Sequence, residues 1–257
     1  MEEPVFIYIV GTAGSGKTTL AAAYSEWLRT LGLDSIKVNM DPGAEDLPYK
    51  PEVDIREFIS LGDIMEKHGL GPNGAQIAAA DMMSLHLPEI KDILGSFRTP
   101  FIIVDTPGQI ELFAFRKSST LLMSSLDASR SIIAFTLDPI LCKTPSGLVS
   151  CVLLSTTVQF RMGVPTVNLL TKCDLLTEME MENIRMWSTD QIALEGAIFE
   201  ERSTAQSQVN LEVAKGLNNL GVLANIIPVS SNTRFGMEDL YNFVQQLFAG
   251  GEDERPD

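Results

Sequence analysis

Histidine, cysteine and tryptophan are scarce in this chain: two, three and two residues among 257. With only His68 and His86, a metal centre built on imidazoles is not expected. Cys142, Cys151 and Cys173 are odd in number and widely separated. They fit neither a disulfide framework nor a zinc site, and they suit a reducing compartment. Basic residues are also few, 19 Lys and Arg against 34 Asp and Glu, for a formal net charge of −15. A duplex-binding surface needs clustered cations to displace counterions, and the chain has none, so direct nucleic-acid binding is not expected. The same charge disfavours an anionic membrane surface, and no apolar run is long enough to span a bilayer. The opening Met1-Glu2-Glu3-Pro4 lacks the basic stretch of a secretory signal, so a cytoplasmic location is expected. Internal repeats and low-complexity linkers are missing too.

What is present is a set of short Ile- and Val-rich runs. They cover residues 5–10, 35–40, 101–106, 131–137, 166–171 and 224–230. Each is continuous rather than alternating, as strands covered on both faces should be. Helical patterns separate them, which predicts an α/β fold: three layers around a mainly parallel sheet with right-handed crossovers. A first helix is predicted over 18–31, ending at Gly32, and a last over 237–248. Two connections are too long for simple crossovers. Residues 43–100 and 175–222 read as helical insertions, the second carrying Ile184, Trp187, Ile192 and Ile198 among charges. One domain is expected over residues 1–250, with an acidic tail at 251–257.

The first run leads into Gly11-Thr12-Ala13-Gly14-Ser15-Gly16-Lys17-Thr18, and a helix follows. Strand, Gly-x4-Gly-Lys-Thr and helix together form a phosphate loop. Gly11, Ala13, Gly14, Ser15 and Gly16 would turn backbone N–H groups around an anion, and the helix N-terminus, Thr18 and Thr19 included, adds positive potential. Lys17 would reach the β- and γ-phosphates, and the Thr18 hydroxyl would ligate Mg²⁺. The third run ends in Asp105-Thr106-Pro107-Gly108-Gln109. There Asp105 can hold Mg²⁺ directly or through water, Gly108 N–H can sense a γ-phosphate, and Gln109 can orient an attacking water. The fifth run ends in Thr171-Lys172-Cys173-Asp174. The Asp174 carboxylate can accept from guanine N1–H and from its exocyclic amine, two donors that adenine lacks in that arrangement. The Lys172 stem can lie over the ring. Backbone groups of Ser230 and Ser231, after the sixth run, are placed to contact guanine O6.

With these motifs in order, the chain resembles the GPN-loop GTPases along nearly its whole length. The resemblance rests on the phosphate loop, Asn39-Met40-Asp41-Pro42-Gly43, Gly71-Pro72-Asn73 inside the first insertion, the Asp105 motif followed by Glu111, and the Asp174 motif. Its compact length is similar to that of the archaeal members. The resemblance implies hydrolysis of GTP to GDP and phosphate with Mg²⁺, and a nucleotide-dependent switch or assembly factor acting on a protein client that the sequence does not identify. It also implies a homodimer in which each Gly71-Pro72-Asn73 loop approaches the phosphates of the opposite subunit. Asp41 matches the acidic residue near the metal and attacking water. Asp105, Gln109 and Glu111 match positions in metal binding and hydrolysis. Thr12 and Ala13 stand where many dimeric relatives carry a lysine that reaches across, so Asn73 would take part of that role. The residues themselves add weaker support for a dimer. From 69 to 87 the only formally charged side chain is Asp81, and Ile77, Met82, Met83, Leu85 and Leu87 crowd behind the tripeptide, which predicts burial on more than one side. Two alternatives remain at this point: a phosphate-loop kinase with Arg116 or Arg161 as a lid arginine, and a GTP-loaded scaffold with negligible hydrolysis.

Overall fold

A computed structural model describes residues 3–126, 128–201 and 205–248; the expected tail at 251–257 lies outside them. Among the described residues, seven parallel strands form one sheet: β1 (Val5–Gly11), β2 (Ser35–Asn39), β3 (Val53–Asp54), β4 (Phe101–Asp105), β5 (Ser131–Leu137), β6 (Thr166–Leu170) and β7 (Ile226–Pro228). Their order is β3-β2-β4-β1-β5-β6-β7. Every pairing is parallel, so the sheet goes beyond the mainly parallel one predicted. β3 was not expected. At two residues it is too short to show periodicity, and it lies inside the first insertion.

The continuous apolar runs follow from cores on both faces. Along β1, Phe6, Tyr8 and Val10 face one core, whereas Val5, Ile7 and Ile9 face the other. Each such side chain, fully buried, contributes about 1.5–3 kcal/mol, so an alternating polar residue would be penalised on either side. The second core is roofed by α1 (Lys17–Thr30) and α11 (Met237–Phe248). There Tyr24 stacks on Trp27 and Tyr241 meets the Phe101 ring edge-on.

The first core is covered by the remaining helices: α2 (Leu61–His68), α3 (Pro72–Ser96), α4 (Ile110–Ala114), α5 (Lys117–Leu126), α6 (Pro139–Cys142), α7 (Pro145–Met162), α8 (Glu178–Thr189), α9 (Gln191–Glu201) and α10 (Ala205–Asn219). Thus the insertions are helical as predicted, and both lie on the same face. Among the described residues no helix is long and apolar enough to cross a membrane.

The 25-residue α3 begins at Pro72, where the fixed φ suits the first helical turn. Ala75, Ala79, Ala80, Met83, Leu87, Ile90 and Leu94 form its buried stripe. Ile77 and Leu85 point elsewhere and are 41% and 72% exposed. The segment expected to be buried on more than one side is therefore covered on one side in the single chain.

β1 sits mid-sheet between β4 and β5, so the chain leaves it first toward one edge and later toward the other. A crevice opens at the carboxyl ends of strands where the winding reverses in this way. The loops after β1, β2, β4, β6 and β7 carry the motifs read from the sequence.

Candidate nucleotide site

Backbone conformation shapes the loop after β1. Gly14 and Gly16 hold positive φ values of 76° and 91°, a region that side chains disfavour. At Gly11 a Cβ would lie 2.0 Å from Thr136 Oγ1 and 2.8 Å from the Thr136 carbonyl oxygen, so nothing larger than glycine fits. The Lys17 ammonium curls back to donate to the carbonyls of Gly11 (3.1 Å) and Thr12 (2.9 Å). Burial lowers its pKa, while Asp105 and Asp41 pull the other way. Such a lysine, buried among acceptors, is poised for an anion.

The Ser15 N–H, expected to turn toward an anion, donates to Thr12 O at 3.2 Å. The Ser15 hydroxyl donates to Thr12 O at 2.7 Å and shares a 2.6 Å bond with Thr136 Oγ1. The side chain is fully buried and braces the loop from behind. Ala13, Gly14 and Thr19 are exposed, and Thr18 is half-buried.

Asp105 ends β4 and is buried. Its Oδ2 accepts the Tyr49 hydroxyl at 3.0 Å. Burial pushes its pKa up to about 6, eased by Thr18, Tyr49 and Lys17 and worsened by Asp41. Thr18 lies close enough to favour ionisation, yet among the described residues Oδ1 has no hydrogen-bond partner, and it is shut off from solvent. An orphaned carboxylate oxygen beside a threonine hydroxyl fits Mg²⁺. This cation takes one or two protein ligands and completes its shell with water and phosphate oxygens. Among the described residues no group of three or more His, Cys, Asp or Glu forms a self-sufficient cage, which leaves a metal here reliant on its substrate. Burial and the neighbouring Asp105 also push the Tyr49 hydroxyl far up in pKa, so it stays a donor.

Asp41 follows β2. Its Oδ1 accepts Gly43 N–H at 2.8 Å and its Oδ2 accepts Gly108 N–H at 3.3 Å. The amide read as a γ-phosphate sensor is thus held by Asp41. Asn39 fixes the turn: its Oδ1 accepts Asp41 N–H (3.0 Å) and its Nδ2 donates to Asp54 Oδ1 (2.9 Å). Burial opposes ionisation of Asp54, but bonds from Arg56 and Asn39 outweigh it and hold its pKa low. Arg56 also donates to the carbonyls of Ala44 (2.8 Å) and Glu45 (3.1 Å). The sequence reading assigned no role to Asp54 or Arg56. Asp54 ends a two-residue strand and Arg56 sits in the single 3-10 turn (Ile55–Glu57) that follows it, so neither belongs to a pattern that a sequence alone displays.

The loop after β6 is riveted to the phosphate loop. Thr171 Oγ1 donates to Ser15 O at 2.7 Å and Lys172 Nζ to Gly14 O at 2.5 Å. Thr171 is itself buried and holds the two loops together. Lys172 adopts a left-handed φ of 50°, and its stem runs over Gly16, 3.4 Å from where a Cβ would stand. A cavity of about 210 Å³ opens beside it, lined by Lys172, Asp174, Leu175, Ser231 and Asn232 among others. Hydrogen bonding from Ser230 and then Asn232 outweighs desolvation and holds the Asp174 carboxyl below its usual pKa. Ser230 departs from the expected role. Its N–H already donates to Phe235 O at 3.0 Å, so Ser231 and Asn232 are left to face the cavity. Asn232, which donates to Asp174 Oδ2 at 3.1 Å, was not foreseen.

Gly71, Pro72 and Asn73 are exposed at the head of α3. One turn later, Gln76 Nε2 lies 2.9 Å from the point where a Cβ on Gly43 would stand, so the tripeptide emerges near the Asp41 loop. Gln109 and Glu111 are exposed at the start of α4. Arg116 pairs with Asp81 at 3.1 Å. Arg161 donates to Ala114 O at 2.9 Å and lies over the Phe115 ring. Both arginines are engaged away from the phosphate loop, and the lid-arginine alternative loses its residues.

A protein family described as "conserved hypothetical ATP binding protein" matches residues 9–250. The chain is 31% identical over 249 residues to the GPN-loop GTPase PAB0955 of Pyrococcus abyssi, covering 95% of this chain and 97% of that protein. It is 27% identical over 259 residues to GPN-loop GTPase 3 of Schizosaccharomyces pombe, covering 98% and 94%. The crystal structure of PAB0955, a GTPase in its apo form, matches with a TM-score of 0.86 at 29% identity, over 95% of this chain and 97% of that one.

Proposed function

The chain belongs to the GPN-loop GTPase family, and on that footing we propose that it binds GTP and hydrolyses it to GDP and phosphate as a Mg²⁺-dependent homodimer. The observation that carries the guanine assignment is the riveting of the Asp174 loop to the phosphate loop through Thr171 and Lys172. It fixes an ionised carboxylate at the rim of the cavity next to the phosphate cradle. The matching family's description mentions ATP. A carboxylate aimed at the base edge meets two donors on guanine and favours it over adenine.

Lys17 and the amides of residues 13–18 would hold the phosphates, and Thr18 with Asp105 would hold Mg²⁺, which supplies charge neutralisation between the phosphoryl oxygens. Asp41 gives the switch its logic. A γ-phosphate oxygen would compete with Asp41 Oδ2 for Gly108 N–H, and the displaced carboxylate would be free to orient the attacking water. Departure of phosphate would let Asp41 return. Gln109, next in the chain to Gly108, and Glu111, both exposed at the start of α4, would act on the same water. Asn73 of the partner subunit would donate to the γ-phosphoryl end, stabilising charge by position alone. The exposed Ile77 and Leu85 on α3 support a second copy as their cover. Exposed Met179, Ile192 and Phe199 on α8 and α9 support a protein client.

Steady-state phosphate release tests the reading. Asp41→Ala is expected to lower kcat by about 100-fold, the usual weight of a positioned acid–base group. KM for GTP should stay level or fall, because Gly108 N–H is released for phosphate. Unchanged turnover would remove Asp41 from the mechanism.

A further inference from the structure

Residues 42–52 form a strap between β2 and β3, and one side chain in it touches the metal site without belonging to any motif. Tyr49 donates its hydroxyl to Asp105 Oδ2 at 3.0 Å, across 56 residues of chain. We propose that Tyr49 is a positioning residue for the Mg²⁺ carboxylate, holding Asp105 so that Oδ1 alone is presented to the cation. The inference rests on the proposed role of Asp105 in holding Mg²⁺.

Three features support it. First, the two oxygens of Asp105 are unequal: Oδ2 is satisfied by Tyr49, while Oδ1 is buried and unpartnered. A carboxylate that gives one oxygen to a metal needs a donor for the other. Such outer partners fix the ligand's orientation. Second, the strap is anchored on both sides of Tyr49. Upstream, Arg56 holds the carbonyls of Ala44 and Glu45. Downstream, Glu52 N–H donates to Lys37 O at 2.9 Å and Lys37 N–H donates to the Glu52 carboxylate at 2.7 Å. Pro48 and Pro51 flank the tyrosine at one and two residues and restrict φ beside it. Third, the ring packs against the α1/α11 core, so hydroxyl and carboxylate meet without ordering a free side chain. Packing alone would be served by phenylalanine, which would strip Oδ2 of the tyrosine hydroxyl.

Tyr49→Phe isolates the hydroxyl while keeping the ring. Mn²⁺ is the probe, titrated into GDP-loaded protein and followed by the spin resonance of the free ion, with Asp105→Asn as reference. Tyr49→Phe is expected to raise the Mn²⁺ dissociation constant by about 10-fold, the lower end for loss of an outer-shell partner. The Mg²⁺ concentration for half-maximal hydrolysis should rise in parallel, while KM for GTP at saturating Mg²⁺ stays at the wild-type value. Melting of the nucleotide-free variant within a few degrees of wild type confirms that the strap is folded. Wild-type Mn²⁺ affinity in Tyr49→Phe, with affinity lost in Asp105→Asn, would overturn the role of Tyr49 alone. Wild-type affinity in both would instead overturn the assignment of Asp105 to the metal.

Discussion

Asp174→Asn is expected to weaken GTP binding by about 100- to 1,000-fold and to turn the site toward xanthosine triphosphate. Guanine offers N1–H and the 2-amino group side by side, and on the proposed reading the Asp174 carboxylate would accept from both. An asparagine presents one acceptor and one donor, so an N–H would face the 2-amino group. Hydrogen bonds to a charged group contribute about 1.5–3 kcal/mol each, and losing most of two gives that range of affinity. Xanthine keeps N1–H but carries an oxygen at C2, which the asparagine amide can donate to. The carboxylate is prepared for its task. Bonds from Ser230 and Asn232 keep it ionised, and the 3.1 Å bond from Asn232 Nδ2 fixes Oδ2. Calorimetry of the variant with both nucleotides measures the exchange. Undiminished GTP affinity would mean that Asp174 does not read the base.

Asn73→Ala and Lys17→Ala are each expected to lower GTP turnover by about 100-fold or more, and mixing the two inactive proteins is expected to restore it. In a mixed dimer, one subunit keeps an intact Lys17 loop and receives Asn73 from its neighbour. Random exchange of equal amounts makes half the dimers mixed, each with one working site, so recovery should reach about a quarter of wild-type activity for a two-fold assembly. The experiment discriminates sharply because the tripeptide emerges near its own chain's Asp41 loop, with Gln76 beside Gly43. If Asn73 served the site of its own chain, no mixture would contain a complete site, and activity would stay at the level of the single variants. The exposure of Gly71, Pro72 and Asn73 suits a loop that works on another molecule.

Legibility in the sequence followed the range of the forces involved. The strands showed because each is covered on both faces, which forces continuous, largely apolar runs such as 101–105 and 131–137. The phosphate loop showed because it needs glycine at Gly14 and Gly16 for conformation and at Gly11 for space. The inward roles of Ser15 and Thr171 stayed hidden. A hydroxyl in a motif reads the same whether it faces ligand or braces a neighbouring loop, and only the contacts to Thr136 and Ser15 distinguish them. Ser230 was placed against the base because it ends the strand, but the turn back to Phe235 takes its N–H. That turn depends on Gly236, whose Cβ position would fall 2.0 Å from Pro228 O. Tyr49 and the Asn39–Asp54–Arg56 group were illegible for a simpler reason. Their bonds join elements brought together by the sheet, with no period or spacing to announce them.

Titrating the wild-type protein with GTP and with ATP, each with Mg²⁺, confronts the guanine assignment most directly. GTP is expected to bind at least about 100-fold more tightly, since adenine leaves a charged acceptor without its two donors. Equal affinities would contradict the reading of Asp174 and, with it, the nature of the substrate.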